Sequence, residues 1–221
     1  MPLTSDTPFG YEILLRHWQG ISLAVFNQSP ILYSEFSYAL WKAMYQLDNA
    51  GKCRSKGQKL FVNMTVAQLL STGSLKFLIV LDQNKLSFCD LVIELTENNL
   101  GEMSSALFER VLLFKRFNCE FAIDDFGRQS SNFSHIFEFK PDYLKVDRSL
   151  ICKAATSLEQ QSVLRSLVKF CHEQDIKVIM EGVETQADVD MMKSCNADFS
   201  QGFYFGLPQL ITNTDDDSVE I

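Results

Sequence analysis

The sequence predicts an α/β fold, specifically a modified (β/α)8 barrel of the TIM type with a truncated or missing first strand. Three observations lead there. Short apolar runs alternate with longer stretches of helical spacing. Nearly every apolar run ends in a polar residue. A chain of 221 residues that is 46% hydrophobic can bury one substantial core.

The candidate strands are Phe9 to Leu15, Leu60 to Met64, Leu91 to Leu95, Phe121 to Ile123, Tyr143 to Val146, Val178 to Met180 and a weaker Phe199 to Phe205. Helical spacing falls between most of them, over Ser34 to Asp48, Ser74 to Leu81, Met103 to Phe117, Leu158 to Glu173 and Gln186 to Lys193. Strand alternating with helix predicts a parallel sheet. Counting a first strand near Pro2 and Leu3, the units fit a closed barrel better than an open doubly wound sheet, and no glycine-rich nucleotide loop is present. Residues 1–211 read as one domain, and 212–221, with Asp215, Asp216 and Asp217 in a row, as a solvated, poorly ordered tail.

Twenty basic against twenty-eight acidic residues give a formal charge of −8, which argues against binding a DNA or RNA polymer. A small anionic ligand requires intervening cations. No apolar run approaches the ~18 residues of a membrane helix, and Met1 to Gly10 lacks a signal-peptide pattern, so a cytoplasmic protein without membrane insertion is expected. Cys53, Cys89, Cys119, Cys152, Cys171 and Cys195 form no Cys-x-x-Cys pair and read as reduced packing residues.

Glu12, Asn63, Glu94, Asp124, Asp125, Lys145, Glu181 and Gln201 stand in or just after these runs. In a barrel of parallel strands, the carboxyl ends of the strands converge on one face, where such folds carry their chemistry. A single carboxylate at a strand-to-helix turn is equally well explained as a helix cap. A convergent set repels itself unless cations neutralise it, and so predicts metal. The donors are hard oxygens with no thiol or imidazole among them, so Mg²⁺ or Mn²⁺ is expected rather than zinc. His17, His135 (in a loop) and His172 (in a helix) read as surface or packing residues.

The segments YEILLR, FVNMT, VIELTEN, FAIDDFG leading to PDYLKVDRSLI, and VIMEGVET with FSQGFYFGLP resemble, in order, the EAL domain family, with Glu12, Ile13 and Leu14 at the position of its naming triplet. The resemblance implies a metal-dependent phosphodiesterase that opens cyclic di-GMP to linear pGpG, using two ions about 3.5 to 4 Å apart. Matched residue by residue, Glu12, Asn63, Glu94 and Asp124 are similar to ligands of one metal, with Asp124 shared and Asp125 beside a second. Glu181 resembles a participant at the metals or their waters, and Lys145 the lysine that holds the attacking water. Glu184 and Gln201 complete the polar face. Leu14 belongs to the triplet on the substrate side, Arg16 is similar to a contact for a ligand phosphate, Asp147 stands near the lysine, and Glu97 resembles the glutamate that steadies the loop after Asp125.

The chain departs from the family pattern in three places. Of the first strand usual ahead of the Glu12 strand only Met1, Pro2 and Leu3 remain, leaving an edge open to another chain, and the stretch from Glu12 to Asn63 is short. The loop from Phe126 to Ser131 has Gln129 where the family has glycine. In the family this loop links dimerisation to the second metal. Three readings therefore stand open: an active cyclic di-GMP phosphodiesterase; a catalytically weak module that binds the dinucleotide or a protein partner as a regulator; and a barrel glycosidase using two carboxyl groups. The open edge admits a homodimer or a regulatory protein partner.

Overall fold

The computed structural model describes residues 7–14, 17–18, 21–22, 34, 37–42, 45, 57–83, 90–100, 104–128, 133–154 and 157–209. In chain order the elements are β1 (Gly10–Ile13), β2 (His17–Trp18), β3 (Ile21–Ser22), β4 (Lys59–Met64), α1 (Val66–Leu70), α2 (Thr72–Gln83), β5 (Leu91–Thr96), α3 (Glu97–Leu100), α4 (Ser105–Lys115), β6 (Glu120–Phe126), α5 (Phe133–Phe139), β7 (Tyr143–Val146), α6 (Arg148–Ala154), α7 (Leu158–Glu173), β8 (Lys177–Met180), α8 (Gln186–Ser194) and β9 (Phe199–Ser200). Residues 34, 37–42 and 45 are also helical.

Among the described residues, seven strands hydrogen-bond in the order β1-β4-β5-β6-β7-β8-β9, and β2 pairs with β3. The pairs β1/β4, β6/β7, β7/β8 and β8/β9 are all parallel, as the alternation of elements requires. The fold is α/β. Strands buried on both faces read as continuous apolar runs, and β7 is buried at all four positions. The expected first strand near Pro2 and Leu3 and the tail from 212 lie outside the described residues. Four short helices, α1, α3, α5 and α6, were not anticipated, because 4 to 7 residues are too few for a helical period to show. His135 consequently lies in α5 rather than in a loop. Among the described residues, no helix is long and apolar enough to cross a membrane.

The chain separates into two compact units, one within Met1–Phe9, Glu94–Met103 and Phe121–Leu207, the other within Gly10–Ile93, Ser104–Glu120 and Pro208–Ile221. In the second, Trp41 is fully buried, donates its indole N–H to Ser74 Oγ at 2.9 Å, stacks on Phe77 and meets Phe114 at a tilt. Thr65 and Gln68 close a reciprocal capping box at the start of α1. Arg110 donates to the carbonyls of Leu69 and Ser71 at 2.6 and 3.2 Å, taking acceptors that the end of α1 leaves over. Burial lowers the pKa of this guanidinium.

Gly73 lets α2 approach the helical residue Ser34, since a Cβ there would lie 1.8 Å from the Ser34 carbonyl oxygen. That oxygen belongs to backbone and cannot swing aside. Gly73→Ala is therefore expected to cost about 1–3 kcal/mol, read as a lower midpoint of urea unfolding.

In the first unit, Phe9 stacks on Phe199 with centroids 3.9 Å apart, and Phe121 meets Phe139 edge-on. Asp142 Oδ2 accepts from the Phe121 N–H and Asp198 Oδ2 from the Val178 N–H, fixing the starts of β6 and β8. Cys119, Cys171 and Cys195 are free and buried. Burial, then the nearby Asp198 carboxylate, pushes the Cys171 thiol up to about 12. These three thiols act as packing groups.

Candidate active site

The carboxyl ends of four successive strands are stepped by backbone hydrogen bonds that continue the ladder. Asp147 N–H donates to Phe126 O, Glu181 N–H to Val146 O and Gln201 N–H to Met180 O, at 3.0, 3.1 and 2.9 Å. These bonds place polar side chains at equivalent heights on neighbouring strand ends.

Lys145 sits in β7 opposite Ile179 of β8 and is 1% exposed. A lysine so buried needs compensation, and its Nζ lies 2.7 Å from Glu94 Oε1, 2.9 Å from Glu181 Oε1 and 3.2 Å from Asp124 Oδ1. Glu94 is fully buried and Asp124 is 8% exposed. One ammonium thus stands among three carboxylates.

Asp124 and Asp125 are adjacent in β6, where a regular pleat would send them to opposite faces. The β6/β7 register shifts between Ile123 and Phe126, and Asp125 takes the left-handed conformation with φ 58°. Aspartate tolerates that conformation better than most residues. The bulge re-aims the second carboxylate: Asp124 reaches Lys145, while oxygens of Asp125, Asp147 and Glu181 all lie within 4.8 Å of one another. Glu181 therefore belongs to both groups.

Asp147 also caps α6, its Oδ1 accepting the Ser149 N–H at 2.8 Å, so capping and membership of the cluster coexist in one side chain. The loop after β8 is tied down: Gly182 has φ 70° with the Arg148 side chain laid against it, and Arg148 holds Glu184 through both guanidinium nitrogens, Nη2 lying 2.6 Å from Oε2. Thr185 and Asp188 form a capping box at α8. Burial pushes the Asp188 carboxyl up, but donation from the N–H groups of Glu184 and Thr185, the Thr185 hydroxyl and the charge of Arg148 hold it below its usual value.

Of the residues expected at the site, the first unit gathers Lys145, Glu94, Asp124, Glu181, Asp125 and Asp147. Glu184 is engaged by Arg148, Gln201 is half-buried after β9, and Glu97 is buried in the first turn of α3. In the second unit Asn63 donates its amide to Glu12 Oε1 at 2.5 Å, which leaves Asn63 Oδ1 as an oxygen donor, and half-buried Leu14 follows β1. Arg16 lies outside the described residues. Two participants were missed. Arg128, three residues after Asp125, pairs with it at 3.1 Å, a spacing readable in the sequence. Arg148 pairs with Glu184 across 36 positions, which no local pattern reveals. The donor set of hard carboxylate oxygens fits Mg²⁺, Mn²⁺ or Ca²⁺.

A family model described as EAL domain matches residues 2–208. Cyclic di-GMP phosphodiesterase TpdA of Vibrio parahaemolyticus is 34% identical over 117 residues, covering 53% of this chain and 20% of that protein. Cyclic di-GMP phosphodiesterase RocR of Pseudomonas aeruginosa is 27% identical over 208 residues, covering 90% of this chain and 53% of that protein. The chain thus spans about half the length, or less, of these relatives. Klebsiella pneumoniae BlrP1, solved as a manganese and cyclic di-GMP complex, superposes with a TM-score of 0.72 at 25% identity, covering 90% of this chain and 52% of that one. The FimX EAL domain of Pseudomonas aeruginosa shares the fold with a TM-score of 0.70 at 23% identity, over 92% of this chain and 85% of that one. With a family model spanning nearly its whole length, the chain belongs to the EAL domain family.

Proposed function

We propose that this chain hydrolyses cyclic di-GMP to linear pGpG at the Lys145 cluster, with residues 1–211 acting as one EAL domain. The observation that carries this reading is a buried ammonium held among Glu94, Asp124 and Glu181 beside a bulge that delivers Asp125 to the same place. Water adds to phosphorus, the bond to the 3′-oxygen breaks, and the proton lost by the water ends on that oxygen.

Two divalent ions, Mg²⁺ or Mn²⁺, would when bound supply an acidified water and neutralise the phosphoryl oxygens. Asp124, Asp125, Glu94 and Glu181 are the residues of the first unit that would hold them, and the family resemblance gives Glu12 and Asn63 the same task. Lys145 supplies fixed positive charge in a water-poor setting, where it is worth more than in solvent. Glu181, whose side chain is 18% exposed, is open enough to take the proton of an incoming water. Asp147 holds α6 against the site by its cap. Leu14, Arg16, Glu184 and Gln201 line the substrate side in this reading, and Glu97 steadies the loop after Asp125.

A second reading, a weakly catalytic module that binds the dinucleotide or a protein partner, is favoured by one contact: Arg128 already occupies Asp125. Incubation with cyclic di-GMP and Mn²⁺, followed by chromatography for pGpG, separates the two. Turnover lost in EDTA and in Glu12→Ala is the expected result. Saturable binding of cyclic di-GMP without any pGpG would leave only the second.

A further inference from the structure

We infer that Arg128 is a built-in counter-cation that competes with a divalent ion for Asp125, so that this chain has a weakened site at the Asp125, Asp147 and Glu181 cluster. The inference rests on the metal-dependent reading above and concerns the price this chain's own loop sets on filling that cluster.

The pairing is built into the turn. Arg128 N–H donates to Asp125 O at 3.2 Å, closing a four-residue turn whose first residue has φ 58° and whose third, Gly127, has φ 94°. A Cβ on Gly127 would lie 2.0 Å from Leu150 Cδ1, so α6 leaves no room for a side chain there, and Ser149 Oγ donates to the Gly127 carbonyl at 3.4 Å. Closing the turn carries the Arg128 side chain back over its own start, and Nη1 comes within 3.1 and 3.3 Å of the two oxygens of Asp125. The guanidinium therefore spans the carboxylate that the cluster needs.

Exposure decides how firmly it sits there. The Arg128 side chain is 60% exposed against 26% for Asp125, so the guanidinium can swing into water while the carboxylate stays in place. Lys145, at 1% exposure with three carboxylate neighbours, has no such exit. The two cations thus divide the work: Lys145 is permanent, and Arg128 is displaceable. An exposed pair is worth about a factor of five at most, and a guanidinium near a dication adds repulsion on top.

The test is Mn²⁺ binding to the whole chain, followed by the electron paramagnetic resonance of free Mn²⁺. Arg128→Ala is expected to tighten the weaker class of sites about five- to tenfold, Arg128→Lys less, and 0.5 M KCl to shrink the difference by screening. Because Arg128 is largely exposed, neither substitution threatens folding. If Arg128→Ala binds Mn²⁺ no more tightly than the wild type while Asp125→Asn loses a site, Arg128 is not a competitor and the metal reading survives. If neither the wild type nor Arg128→Ala binds Mn²⁺ above background, both the inference and the metal reading are overturned.

Discussion

Lys145→Met is expected to lose about 3–5 kcal/mol of stability in EDTA, the usual cost of removing one partner from a buried ionic group. Methionine has nearly the shape of lysine, so the loss comes from charge rather than from a cavity. It leaves Glu94, fully buried, facing Asp124 and Glu181 with their common cation gone. The strand ends must then admit water or loosen. Urea unfolding with and without millimolar Mn²⁺ checks the cause, since a divalent ion in the same place should recover part of the lost stability. Hydrolysis of cyclic di-GMP is expected to fall by about 10³-fold even where Mn²⁺ restores the fold. A variant as stable as the wild type in EDTA would mean that this ionic cluster does not hold the strand ends together.

Much of this arrangement was legible because parallel strands covered on both faces must be apolar throughout, which isolates the few polar side chains in them. Lys145 between Leu144 and Val146, and Glu94 after Leu91, Val92 and Ile93, stand out for that reason, and both are buried where a surface lysine or a simple cap would be exposed. The bulge was not legible. Alternation along β6 places Asp124 and Asp125 on opposite faces, and only a register shift with a left-handed Asp125 lets Asp125 join Glu181 while Asp124 reaches Lys145. Aspartate merely permits that conformation; the sequence does not demand it. The short helices α5 and α6 escaped for lack of length, whereas the three-residue spacing of Arg128 from Asp125 was there to be read. Partnerships between long side chains far apart in the chain, such as Arg148 with Glu184, depend on which loops meet and leave no periodic trace.

Glu181→Gln should separate function from stability more sharply than any other single change. Glu181 shares Lys145 with Glu94 and Asp124, so neutralising it leaves the ammonium with two carboxylates at 2.7 and 3.2 Å. The amide keeps an oxygen that can accept from Lys145. The same change takes one negative charge out of the group it forms with Asp125 and Asp147, where like charges within 4.8 Å repel. Stability in EDTA is therefore expected to stay within about 1 kcal/mol of the wild type or to rise, as happens when a strained functional site is relaxed. Turnover is expected to fall about 10²- to 10⁴-fold, the range for loss of a group that moves a proton in the rate-determining step. The pH profile distinguishes that role from mere positioning: loss of a proton acceptor removes the acidic limb of the kcat profile, whereas a misplaced ligand lowers the whole curve without changing its shape. Chromatographic rates from pH 5 to 9 at saturating Mn²⁺ read the difference. A variant that keeps its acidic limb, or keeps its turnover, would move the proton-accepting role away from Glu181 and onto another oxygen of the cluster.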